Sequence, residues 1–173
     1  MAYTALMMSK KNNSATLGNL RRINHAIKRV KSKESKVSFS SVGPKEDLVV
    51  YGLSDASFKA DDKSIGGSII MLGNTSNNSA VPLYWKSKTI AQVCHSAKDA
   101  ETRSLVKLVD DSKYMAQQLE QLCYGSVNGR IPVKLFTDSR PTLESIASTR
   151  QVEKKFLRNS IADLKSKLED GSI

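Results

Sequence analysis

The chain has 173 residues, 39% of them apolar and 25% charged, and a net charge of +10. That is one domain with a modest appendage, long enough to bury a core. No apolar run nears the ~20 residues of a membrane span. The first eight residues lack the basic start and small-residue cleavage pattern of a secretory signal, so an intracellular protein is expected.

The polar run from Ser9 to Ser14 reads as a loop. A helix is expected from about Thr16 to Val30, because Leu17, Leu20, Ile23, Ala26, Ile27 and Val30 share a face at helical spacing. Charge concentrates here. Residues 9–36 hold nine Lys or Arg against one acid, Glu34, which is eight of the ten net positive charges. A basic amphipathic segment suits a polyanion, nucleic acid first; a solvated basic helix with no dedicated partner explains the charge equally well. Lys31 to Lys36 is a charged connector, and Val37 to Val42 alternates like a short strand. Gly43-Pro44-Lys45-Glu46-Asp47 breaks the pattern. This places a basic helical segment at 1–45 and a domain at 46–173.

Beyond the break the pattern turns to β. Strands are expected at Leu48–Asp55, Ile65–Leu72 and Ala80–Trp85, with polar turns at Lys59–Ser64 and Gly73–Ser79. Short connections favour an antiparallel meander. Ser96-Ala-Lys-Asp99 has capping-box spacing. After it Leu105, Leu108, Val109, Met115, Ala116, Leu119 and Leu122 make a core-facing stripe, which Gly125 ends. Ile131–Asp138 is a fourth strand; arriving after a helical crossover, it should lie parallel to a neighbour. Helices at about Pro141–Ala147 and Val152–Leu168 follow, the second with Phe156, Leu157, Ile161, Leu164 and Leu168 inward. The expected fold is α/β, a mixed sheet of three antiparallel strands and a parallel fourth with flanking helices.

Two cysteines, Cys94 and Cys123, are too few for a disulfide framework, and Cys94 beside His95 matches no zinc spacing. Buried or half-buried free thiols are expected. His25 and His95 read as structural or exposed. Tyr84 and Trp85 have the chemistry to stack on a base, but packing is the simpler reading.

Three acids stand out. Asp55 ends the first strand, Asp138 ends the fourth, and Glu101 lies four residues before Leu105 on the inward face of the long helix. Each also has a plain structural reading: Asp138 or Ser139 as a helix N-cap ahead of Pro141, Asp55 as a strand-end turn residue, Glu101 as a first-turn acid favoured by the helix dipole. If the first and fourth strands are parallel neighbours, the two aspartates share one end of the sheet, and the helix could bring Glu101 to them. Three carboxylates without sulfur or imidazole suit Mg²⁺ or Mn²⁺, and two such ions support phosphodiester hydrolysis.

These residues resemble a known family. Tyr51-Gly-Leu-Ser-Asp-Ala-Ser-Phe58 is similar to the first strand of the ribonuclease H domain in copia-type retrotransposon polyproteins, which ends in Asp-Ala. Asp62-Lys-Ser-Ile-Gly-Gly67 resembles its Ser-x-x-Gly entry to the second strand, and Trp85-Lys-Ser-Lys88 its Trp-x-Ser-Lys segment. Ser96-Ala-Lys-Asp-Ala-Glu101 resembles the start of the helix that bears a catalytic Glu, and Phe136-Thr-Asp-Ser139 the strand with a catalytic Asp. The match runs in order from about residue 46 to 173, and the basic helix resembles the end of the reverse transcriptase region that precedes this domain. The resemblance implies a ribonuclease-H-like fold, hydrolysis of RNA in RNA–DNA hybrids with two Mg²⁺ (or Mn²⁺), and Asp55, Glu101 and Asp138 as metal ligands. The family continues with a fifth strand and a last helix that adds a fourth acid. The chain ends about where that strand would begin, so the expectation is a truncated domain of weakened activity. The alternative is a non-catalytic nucleic-acid-binding or structural remnant of the same fold.

Overall fold

A computed structural model of the chain describes residues 14–32, 39–60, 63–149, 154–171 and 173. It divides into two compact units, Met1–Phe39 and Ser40–Ile173. In the first, α1 spans Leu17–Lys31, and Thr16 caps it by accepting a hydrogen bond from the Asn19 N–H. Its last turn carries Lys28, Arg29 and Lys31, cations that suit the negative end of the helix dipole. The expected loop at 9–14 and connector at 31–36 lie largely outside the described residues, as do the start of the strand at 37–42 and part of the turn at 59–64. Residues 39–42 are described and carry no strand.

The second unit begins with one 3-10 turn, Lys45–Asp47, and then builds a sheet. Strands β1 (Leu48–Ser57), β2 (Ile65–Asn74) and β3 (Ala80–Thr89) pair antiparallel in sequence; β4 (Val133–Thr137) pairs parallel with β1. The order β3-β2-β1-β4 is the mixed sheet of three antiparallel strands and a parallel fourth expected from the sequence. β3 runs four residues past Trp85, because Lys86, Ser87, Lys88 and Thr89 continue the ladder opposite Ser68 to Ile65. Four polar residues in a row suit an edge strand. Pro82 is also tolerated on this edge, beside a register shift at Ile70/Met71.

The long helix α2 (Ala97–Tyr124) crosses back over the sheet. Ser96 Oγ accepts the Asp99 N–H at 3.2 Å, but the Asp99 carboxylate reaches the His95 N–H at 2.9 Å rather than that of Ser96. The capping box is therefore offset by one residue. Gly125 closes the helix at φ +69°, a conformation that favours glycine. Helices α3 (Arg140–Ala147) and α4 (Lys155–Glu169) complete the unit. Val50, Ile70, Leu105, Leu108, Val109, Ala116, Leu157, Ile161 and Leu164 form the centre of the core. Cys94 is buried and Cys123 half-buried, both free.

Helical periodicity overreached at its margins. Leu122 is 82% exposed, and Phe156 and Leu168 also face solvent. Trp85 is exposed on the sheet face away from α2, as are Leu53, Ile69 and Phe136. Among the described residues, no helix is long and apolar enough to cross a membrane.

Close approach of α2 to β1 depends on Gly52. A Cβ there would stand 2.7 Å from Leu135 Cδ2, 2.8 Å from Ser112 Oγ and 3.1 Å from Leu108 Cδ1. Gly52→Ala is therefore expected to overpack this seam and cost about 1–3 kcal/mol, measurable by urea denaturation. An unchanged midpoint would show that the seam has slack.

Candidate metal centre

The parallel pairing of β1 with β4 ends at Ser54 opposite Thr137. The next residue on each strand is an aspartate, Asp55 and Asp138. In-register neighbours on adjacent strands lie about 4.8 Å apart, so the backbone itself brings the two acids to one end of the sheet. Asp55 still pairs with Gly67 of β2, which holds that end of β1 in place.

Glu101 reaches the same point from the second turn of α2. Its Oε1 accepts the Ala56 N–H at 3.1 Å. One carboxylate oxygen from each of Asp55, Glu101 and Asp138 lies within 4.8 Å of the others. Both aspartates are exposed, while Glu101 is half-buried. Burial raises the Glu101 pKa, and the negative charges of Asp55 and Asp138 add to the rise; the Ala56 N–H only partly opposes it. Its second oxygen, Oε2, is buried with no hydrogen-bond partner. A buried acceptor left unpaired is costly, and here it lies beside two further carboxylates.

A group of hydroxyls fixes α2 against both aspartates. Ser104 Oγ donates to the Asp55 carbonyl at 3.3 Å. Thr102 Oγ1 donates to the Lys98 carbonyl and lies 3.4 Å from Thr142 Oγ1, which lies 2.8 Å from Ser139 Oγ. Thr102 and Thr142 are fully buried and Ser139 nearly so. This network ties the start of α2 to the turn that carries Asp138. Asp138 is not the cap of α3: Ser139 occupies that position, and it makes no side-chain cap bond. Asp99 is buried as well, but its carboxylate is satisfied by the His95 N–H and by Arg103 Nε at 2.6 Å, so it belongs to the helix start. His95 is outside the cluster, its ring 4.8 Å from that of Phe156.

The three sequence-expected acids are thus brought together. The hydroxyls that position them were not foreseen. Nothing in the sequence marks them, because Ser and Thr are common in every kind of element.

No protein-family model matches the chain, and no curated protein matches it. Among solved structures, a ribonuclease H1 isolated from compost by a metagenomic approach is similar, with a TM-score of 0.46 and 16% identity, over 70% of this chain and 76% of that one.

Proposed function

We propose that the chain is the ribonuclease H domain of a copia-type retrotransposon polyprotein and hydrolyses RNA in RNA–DNA hybrids with two Mg²⁺ or Mn²⁺ ions. The observation that carries this reading is the convergence of Asp55, Glu101 and Asp138 at one end of the sheet, with a buried Glu101 oxygen that has no other partner. An all-oxygen donor set suits a hard divalent cation that also takes substrate phosphate and water. The three carboxylates would hold the ions; when bound, these supply charge neutralisation at the phosphodiester and an acidified water.

The chain's own residues do the rest. Asp55 and Asp138 present exposed oxygens toward a strand crossing the sheet end, and Glu101 closes the site from the helix side. The hydroxyl network from Thr102 to Ser139 keeps the three in register, so little reorganisation is needed when substrate arrives. The basic residues of α1 supply positive charge for phosphate backbones.

The test is cleavage of a labelled RNA–DNA hybrid in Mg²⁺ and in Mn²⁺, comparing the chain with Asp55→Asn and Asp138→Asn. Loss of an outer-shell partner of a metal site already costs about 10–100-fold, so each ligand change is expected to remove at least about 100-fold of a metal-dependent activity. A folded chain that does not cut in either metal overturns the enzyme reading and leaves a non-catalytic remnant of the fold.

A further inference from the structure

At the end of the sheet opposite the carboxylates, the loop between α2 and β4 contains the chain's one Asn-Gly pair, Asn128-Gly129. Both residues are exposed. Gly129 has φ +69°, a conformation that favours glycine, so the turn itself places the least hindered residue after Asn128. This pairing has a covalent chemistry of its own. A backbone nitrogen that follows asparagine can attack the side-chain Cγ and close a five-membered imide. The nitrogen loses its proton to water, the Cγ–Nδ2 bond breaks, and ammonia leaves. Water then opens the imide at either carbonyl, giving aspartate or isoaspartate. The net change is asparagine plus water to an acid plus ammonia, with no oxidant or reductant. A side chain on the second residue hinders closure, and glycine has none.

Both reacting groups are held away from that path. The Gly129 N–H donates to Glu120 Oε2 at 3.0 Å, and the same oxygen accepts the Asn128 N–H at 2.8 Å. Glu120 Oε1 accepts the Ile131 N–H at 2.8 Å. The Asn128 side chain turns back along the chain, its Nδ2 donating to Ser126 Oγ at 3.1 Å. Glu120 is 2% exposed, so little water competes for these amides. Imide closure needs the Gly129 nitrogen to give up a proton, and a carboxylate against it opposes the negative charge that develops. A carboxylate can in principle take that proton instead. Burial would raise the Glu120 pKa, but the N–H groups bound to it outweigh this and leave it below the usual glutamate range, a poor base for an amide.

We propose that Asn128 is a deamidation site of this chain, and that Glu120 controls its rate by holding the Gly129 nitrogen. Local opening of this clamp, rather than global unfolding, is the step that exposes Asn128 to reaction. The isoaspartate product carries one extra methylene through the backbone, so the three amides no longer meet one carboxylate in the same register. Modification therefore releases Glu120 and loosens the lead-in to β4. None of this depends on the activity proposed above.

The experiment is ageing of the full chain below its thermal midpoint at mildly alkaline pH. Conversion of Asn128 is read by mass spectrometry of the tryptic peptide that ends at Arg130, with isoaspartate told from aspartate by electron-transfer fragmentation. Native, Glu120→Gln and Gly52→Ala chains are compared with the native chain unfolded in urea. Gly52→Ala weakens the fold at a seam away from this loop, so it reports conversion through global unfolding. The expected result is slow conversion in the native and Gly52→Ala chains and conversion on the order of tenfold faster in Glu120→Gln, where a charged acceptor becomes neutral. A folded native chain that converts as fast as the unfolded one overturns the proposal. So does a Glu120→Gln rate equal to or below the native rate, the latter being the mark of a carboxylate that serves as base. Equal acceleration in Gly52→Ala and Glu120→Gln also overturns it, because global unfolding would then be the gate. Hydrogen exchange at the Gly129 amide of the native chain tests the clamp without any substitution: strong protection is expected, and exchange at the rate of an open loop overturns the proposal.

Discussion

Glu101→Gln is expected to raise the thermal midpoint of the metal-free protein while abolishing its stabilisation by Mg²⁺ or Mn²⁺. Burial, reinforced by Asp55 and Asp138, raises the Glu101 pKa in the folded state. A carboxylate with a raised folded pKa adds stability that is fully present below its unfolded pKa and is lost as pH rises through the folded one. At neutral pH the ionised side chain is therefore a liability to the empty fold. Glutamine keeps an oxygen for the Ala56 N–H, removes the repulsion, and makes this contribution independent of pH. The native midpoint, relative to the variant's, should fall as pH rises through the raised pKa. Added divalent metal should lift the native midpoint by preferential binding to the folded state and leave the variant nearly unmoved. Differential scanning fluorimetry across pH, with and without metal, checks both. A metal-free variant that melts below the native chain would sink this account of the site.

Glu120→Ala is expected to be the most damaging single change outside the site. Glu120 is 2% exposed, and its carboxylate accepts the Asn128 N–H at 2.8 Å, the Gly129 N–H at 3.0 Å and the Ile131 N–H at 2.8 Å. Burial by itself would raise its pKa. The N–H groups of Ile131, Asn128, Gly129 and Arg130 more than offset that and hold the group below the usual glutamate range. Its contribution to stability is thus present above the ordinary glutamate pKa and is lost as pH falls through the lowered one. Hydrogen bonds to a charged group contribute about 1.5–3 kcal/mol each, and orphaned donors cost about 1–3. With part of the loop able to turn to water, Glu120→Ala should cost about 3–4 kcal/mol. For a chain of this size that lowers the midpoint by roughly 6–16 °C. Glu120→Gln, which retains one strong acceptor, should cost about half as much. If calorimetry shows Ala and Gln equal, the bonds to this loop do not set its stability.

Much of the fold was legible because its signals are local. The apolar runs in Leu48–Asp55 and Ile65–Leu72, the Ser96 cap and the Gly125 stop each depend on neighbours within a turn or a strand. The parallel placement of β4 followed from the crossover that α2 makes. Errors fell where a residue's fate depends on what lies opposite it. Leu122 and Leu168 keep helical spacing yet stay exposed, Phe156 meets the His95 ring rather than the core, and Lys86 to Thr89 extend β3 because β2 offers partners there. In the candidate site, Asp55, Glu101 and Asp138 could be picked out from their element positions. The buried hydroxyls of Thr102, Thr142 and Ser139 could not, since their pairing joins residues 40 positions apart, which no short pattern encodes. Glu120 escaped notice for a related reason: its partners are backbone amides of a loop, and amides leave no mark on a sequence.

The placement of Asp55 and Asp138 one step beyond the last paired rung of two parallel strands makes the gap between their Cα atoms a property of the peptide ladder. Substitution among core side chains can strengthen or weaken the domain, but it has little purchase on that gap. Glu101 is different: its reach depends on the docking of a helix, which Gly52, Ser104 and the threonine pair all influence. The cluster therefore behaves like a calliper with one jaw fixed in the sheet and one carried on the helix. If the cluster holds metal as proposed, changes in the seam under α2 should shift its preference among divalent ions more than changes around the aspartates.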